Sequence, residues 1–475
     1  MPALRPMAQR SLSAKLESSR MSAPPASRNR PHAVFTQGST LRHVLVMTVT
    51  GSIGLMAIFV VELFSILYIS WLNDPGLVAG VGFASQVTWF AVSINIGLSI
   101  GVSALVARSL GAGDRTAARR RAASGLVLTM IISCLFTLLM FPFRTQLLEL
   151  LGARGAALAA GALFLDWTLP TVPVMSLGMV LPGLLRSVGD AKRSMYITLF
   201  GAIAVAILDP ILILYFNLGV FGAAIAIDVS RTVWVIVGLW GAIHVHKLIA
   251  PPSFPEVLHD FLPLGRIAGP AILTNFAAPV AMAYSVRVMA DFGEAAVAAG
   301  AIIDRVVPVA FGVLFAMSGV VGPIIGQNYG ARLFGRVRTT LTNCFVFSGV
   351  YVCTTWFLLW LAAPSIVWLF NAQGETARLV IFFCTWGAMA WAFLGCLFAA
   401  NAAFNNLDYA FLSTFFNWGR ATLGTIPFVA LGAHYYGPEG VIMGITVGAA
   451  IFGAAAIVCA YWISERIEKK AAALP

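Results

Sequence analysis

Two acids stand where acids are expensive. Glu62 lies near the middle of the apolar run VTGSIGLMAIFVVELFSILYISW, with no basic residue within a turn, and Asp209 closes another run directly before Pro210. An ionised side chain at the centre of a bilayer costs roughly 2.5–3.5 kcal/mol on insertion scales, so each acid calls for a function. Pro210 has no N–H to give the carbonyl of Ala206 one turn back. An acid beside a freed carbonyl inside a membrane helix suits a proton or a small cation. Desolvation favours the uncharged form of a carboxyl, and neighbouring carboxyls oppose each other's ionisation. Glu62 and Asp209 are therefore the expected proton-coupling residues, with Na⁺ the less expected ion. The structural alternatives are an interhelical hydrogen bond and a silent neutral acid.

Other polar groups inside apolar runs are candidates for substrate contact or for packing. Asn95 sits among Gly and Ser and suits close helix packing. Asp166 precedes Pro170, Pro173 and Pro182, which imply a bent helix. Asp228 and Arg231 are three apart, on one helix face, and read as a self-neutralising pair. Arg420 is isolated and suits an anionic group or snorkelling. The six cysteines show no CxxC spacing, the His residues of 244–263 lack clustered partners, and no metal or cofactor is expected. No HExxH or GxSxG motif occurs, which argues against an enzyme.

The elements that must hold these groups are membrane helices. Mean hydropathy is +0.88 and charged residues make up 10% of the chain, against about 25% in ordinary globular proteins. Twelve apolar segments approach the roughly 20 residues needed to span a bilayer. The fold class expected is thus an all-α membrane protein with twelve transmembrane helices. The net charge of +11 does not signal nucleic acid, because Lys and Arg concentrate in alternate loops. That bias places both ends of the chain in the cytoplasm of a cell whose inner membrane holds the protein. The expected organisation is a disordered tail over 1–42, a first lobe over 43–246, a linker over 247–263, a second lobe over 264–463 and a tail over 464–475.

The two halves repeat each other. LGAGDRTAARR matches YGARLFGRVR, VAGVGFASQV matches AAGAIIDRVV, and GVFGAAIAID matches GPEGVIMGIT, each pair about 218–220 positions apart. Six spans per copy make the copies parallel, related by a pseudo-two-fold axis along the membrane normal, with sites near mid-membrane. The acids belong to the first copy: Glu62 falls near Ala281, and no Asp or Glu occurs over 261–290 or 376–404.

The stretch GLLRSVGDAKRSMYITLFGAIAVAILDPILI, followed by LGVFGAAIA, resembles the fourth-to-sixth-span signature of the multidrug and toxic compound extrusion (MATE) family. VAAGAIIDRV and GVVGPIIGQNYGA resemble its eighth-span signature. The resemblance covers roughly Leu41 to Arg466 and is nearest to the branch named for DNA-damage-inducible protein F. It implies two six-helix lobes forming a V, and a monomeric antiporter exporting small organic cations and drugs against proton or sodium entry. It also places Glu62 at the family's first-span acid and Asp209 at the fifth-span Asp of LDP. Where first-lobe cation sites of the family carry an Asn and a Thr, this chain has Val205 and Ile227, which implies protons. A flippase for lipid-linked precursors and a Na⁺-coupled antiporter are the alternatives.

Overall fold

The computed structural model describes residues 33–72 and 74–472, and these are helical almost throughout. Spans α1 (Thr40–Ser70), α2 (Pro75–Gly111) and α3 (Arg115–Met140) are continuous helices. A short helix (Arg144–Leu150) leads to α4, which is broken into Gly155–Thr168 and Val172–Ser187 with a 62° bend. Pro170 sits in the break, as a helix that loses an amide donor there must bend. Then come α5 (Ala191–Tyr215) and α6 (Gly219–Val245). The second lobe follows with α7 (Phe254–Ala290), α8 (Glu294–Gly330), α9 (Phe334–Leu369) and α10 (Gly374–Asn406). The last apolar stretch, Ala410–Ala472, has 63 residues. At 1.5 Å per residue that is about three bilayer core thicknesses, too long for one span.

Gly437 resolves it. With φ 62° and ψ −144° it leaves helical geometry, a conformation that glycine adopts without a Cβ penalty. The chain folds back there into α11 (410–436) and α12 (438–472). Their backbones touch at Gly432 and Gly440 and again at Gly424 and Gly448, where a Cβ on Gly432, Gly440 or Gly448 would fall on the facing carbonyl. Small residues of this kind let membrane helices approach closely. The described residues then hold twelve spans, six per lobe.

Three parts of the chain differ from the sequence expectation. Residues 254–263, read as linker, form the opening turns of α7, and 464–472, read as tail, continue α12. The tail expected over 1–42 is ordered from Ala33 onward: Val34–Thr36 is a 3-10 turn, and Ser39 caps α1 through the Arg42 N–H. Order there comes from Phe35, which is buried in the second lobe's core. Residues 1–32 of that expectation lie outside the described residues.

The lobes meet along two equivalent seams, α1 on α8 and α2 on α7. In the first, Gly51 lies against Ala316 and Val320, and Gly312 against Met56 and Phe59. In the second, Gly97 and Gly101 receive Ile272 and Ala268, and Phe90 meets Phe276 with ring centroids 5.9 Å apart. Nearest the basic face the ends of α2 and α8 cross. A Cβ on Gly111 would fall on the Gln327 carbonyl, and one on Gly330 on the Arg108 carbonyl. Both pairs share the offset of the internal repeat, so the pseudo-two-fold axis passes through this crossing.

Candidate functional site

Asp209 ends the α-helical part of α5 and is 1% exposed. Pro210 follows, and Pro210–Tyr215 runs on as π-helix, the Phe216 N–H reaching the Ile211 carbonyl at 2.9 Å. A proline that cannot continue the i→i−4 ladder is a sufficient cause of this change of register, and such turns recur at functional sites. The side chain faces α1, where the Ser65 hydroxyl donates to its Oδ2. Its Oδ1 has no hydrogen-bond partner in the protein.

Glu62 lies one turn before Ser65 on α1. Phe59, Glu62 and Ser65 form one slowly drifting stripe: Phe59 lies at the partner lobe and Ser65 at Asp209. Glu62 between them is exposed. No basic side chain pairs with either acid among the described residues. The structure therefore brings the two predicted acids to adjoining helices, linked through a serine that the sequence reading did not single out. Its signal was available, since position 65 is three after an acid and shares its face.

The accessory candidates separate. Asp228 accepts from the Thr171 hydroxyl at 2.5 Å and pairs with Arg231 at 3.2 Å. The Arg231 guanidinium also reaches Thr171 and, at 2.6 Å, the Thr168 carbonyl. This cluster satisfies the backbone left open by the break in α4, as buried polar groups require. Asp166 pairs with Arg144 beside the short helix. Asn95 is buried between α2 and α4, accepting from Ser176 Oγ at 2.6 Å. None of these three joins Glu62 and Asp209. Arg420 lies in α11 with a buried Nε that has no partner. Arg186, which the sequence reading passed over, ends α4 at the inter-lobe seam. Its guanidinium carbon is 3.6 Å from where a Cβ on Gly319 of α8 would stand, its Nε is buried without a partner, and its one side-chain bond is to Ser194 Oγ at 3.4 Å.

Outside the spans, Asp190 caps α5 through the Arg193 N–H at 3.0 Å and binds His246 at 2.7 Å. Burial opposes its ionisation, but the bonds from His246 and from the Arg193 backbone and guanidinium outweigh that and hold the carboxyl well below its usual range. No group of three or more His, Cys, Asp or Glu suited to a metal occurs among the described residues.

Twelve spans in two equivalent lobes, with an unpaired acid enclosed in one of them, define a polytopic membrane transporter rather than an enzyme. Residues 52–211 and 270–431 match the MatE family model, one match in each lobe, and the chain belongs to that family. It is similar to the FAD transporter of Shewanella oneidensis, 29% identical over 90% of this chain and 94% of that one. It is also similar to the multidrug export protein MepA of Staphylococcus aureus, 22% identical over 91% and 96%. Among solved structures, the Vibrio cholerae MATE transporter VcmN in the bent form superposes with a TM-score of 0.84 at 25% identity, over 90% of this chain and 98% of that one. An outward-facing multidrug resistance MATE transporter of the MOP superfamily gives 0.86 at 22%, over 92% and 98%, and shows the same fold.

Proposed function

We propose that the chain is a secondary-active efflux antiporter that exchanges small organic compounds for protons by alternating access. The basic face is the cytoplasmic one, both ends of the chain lie there, and the membrane is the plasma membrane. The observation that carries the reading is Asp209: an acid enclosed between α1 and α5, bonded by one hydroxyl, with its second oxygen unpartnered. A buried carboxylate with no cation beside it is costly, whereas the neutral acid is not, so the site suits loading and unloading of a proton. Glu62, exposed one turn away on α1, is the group that passes the proton between Asp209 and water. Sodium asks for several oxygens around a retained charge; Val205 and Ile227 supply apolar side chains to the first-lobe interior instead. Dye efflux from whole cells tests the reading. Export of a cationic dye that stops with an uncoupler supports it, and export insensitive to the uncoupler contradicts it.

A second reading of the substrate rests on the two arginines. Buried cations without carboxylate partners favour an anionic guest. Arg186 in the seam and Arg420 in the second lobe therefore suit a phosphate-bearing organic anion, in keeping with the relative named an FAD transporter. Export of flavin dinucleotide by vesicles, lost in Arg186→Ala with dye export retained, would establish this reading over the cationic one.

A further inference from the structure

The seal on the basic face is symmetric in its helices and asymmetric in its locks. Arg108 at the end of α2 reaches across to the second lobe, pairing with Asp408 and donating to the Asn405 carbonyl at 2.9 Å. Tyr329 OH adds a bond to Asp408 at 2.9 Å. Gln327 is the counterpart of Arg108 in the repeat, and its Nε2 reaches the Ser187 carbonyl of the first lobe at 2.7 Å. The counterpart of Asp408 is Gly189, so the second half of the seal has no carboxylate to pair. The space is taken by the segment before α1.

Val34 packs on Gly189. Phe35, 1% exposed, donates its N–H to Gln327 Oε1 at 2.9 Å. Its carbonyl accepts from Asn328 Nδ2 at 3.2 Å and from Arg336 Nη2 at 2.9 Å. Arg336 also holds the carbonyls of Gln37 at 3.2 Å and Gly38 at 3.0 Å. This segment is continuous with the first lobe through α1, yet every one of these backbone bonds goes to the second. Separation of α2 from α8 on this face has to undo the Arg108–Asp408 lock on one side. On the other it has to part Gln327 from Ser187 and either unhook the segment or bend α1.

We infer that Ala33–Gly38 is a strap that latches the basic-face gate, in the place where the repeat lacks a second ion pair, and that its release is a step of the transport cycle. The inference concerns the gate alone and is read without substrate or ion gradient. Hydrogen–deuterium exchange of the full-length protein in nanodiscs tests it, comparing wild type with Phe35→Ala and, should that variant fail to fold, with Arg336→Lys, which keeps the charge and loses the fork. The readout is the turn over 405–409, which touches the Arg108 lock and not the strap. Phe35→Ala removes the buried ring that anchors the strap, and Arg336→Lys one or two of its hydrogen bonds. A loss of about 1 kcal/mol or more is expected to raise exchange over 405–409 by at least about fivefold, together with the turn over 187–190. Faster exchange confined to 33–43 and 327–336, or none at all, overturns the inference.

Discussion

The two lobes build the same six helices and give them different chemistry. The counterpart of Glu62 in the repeat is Ala281, buried beside Ala277 and Ala421. The first lobe starts α2, α3 and α5 with side-chain caps from Asp74, Asp114 and Asp190. Their counterparts Gly293, Leu333 and Tyr409 start α8, α9 and α11 with no side-chain cap. Helix packing thus asks for none of these acids, since the second copy folds alike without them. Those that cap serve the first lobe's helix ends, while Glu62 and Asp209, inside the spans, neither cap a helix nor form an ion pair among the described residues, and the proposed function rests on that difference. The contrast between copies is a sharper argument than burial alone.

The contrast breaks most visibly at the acids. Glu62→Gln and Asp209→Asn are each expected to abolish coupled efflux, with membrane expression near wild type, while Ala281→Ser leaves efflux within about twofold because it adds one hydroxyl able to bond its own helix. Vesicle transport with matched protein amounts checks all three. A weaker effect is expected at the crossing on the axis. Gly111→Val and Gly330→Val press a side chain into the opposite backbone, and overpacking of this kind costs typically 1–3 kcal/mol. Both should lower the thermal unfolding midpoint in detergent by similar amounts, as the symmetry requires; a large effect from only one would place the axis elsewhere.

Much of this architecture is legible in the sequence, and for physical reasons. Runs of about 20 apolar residues and the alternation of basic loops follow directly from the bilayer, and the repeat follows from matched glycines and charges at one offset. Asp209 stands out because Pro210 adjoins it, and Glu62 because nothing near it is basic. What the sequence hides is pairing across distance. Ser65 looks like any membrane serine until α1 is laid on α5. Phe35 sits in a polar, basic stretch, and only Gln327, Asn328 and Arg336, about 300 positions on, show that it is anchored. Arg186 reads as a loop cation until α4 is found to end in the seam.

Two smaller effects sharpen the comparison further. Ser65→Ala removes one hydrogen bond to Asp209, worth about 1 kcal/mol. Coupled transport should fall about fivefold, with Ser65→Thr restoring it. Asp190 gives the smallest effect. Its replacement by Ala removes a helix cap, which costs about 1 kcal/mol, and Tyr409→Ala in the second lobe should cost less. Because the Asp190 carboxyl is held below its usual range, its contribution is present above the unfolded value of about 3.9 and is lost only as pH falls below that. The difference in unfolding midpoint between wild type and Asp190→Asn should therefore be constant from about pH 8 to 5 and shrink only in stronger acid.

The central claim, proton exchange at Glu62 and Asp209, is tested most directly in proteoliposomes with imposed gradients. A pH gradient at equal Na⁺ should drive substrate against its own gradient in the wild type and fail to do so in Asp209→Asn. Transport driven by a Na⁺ gradient at equal pH, and indifferent to a pH gradient, would contradict the account.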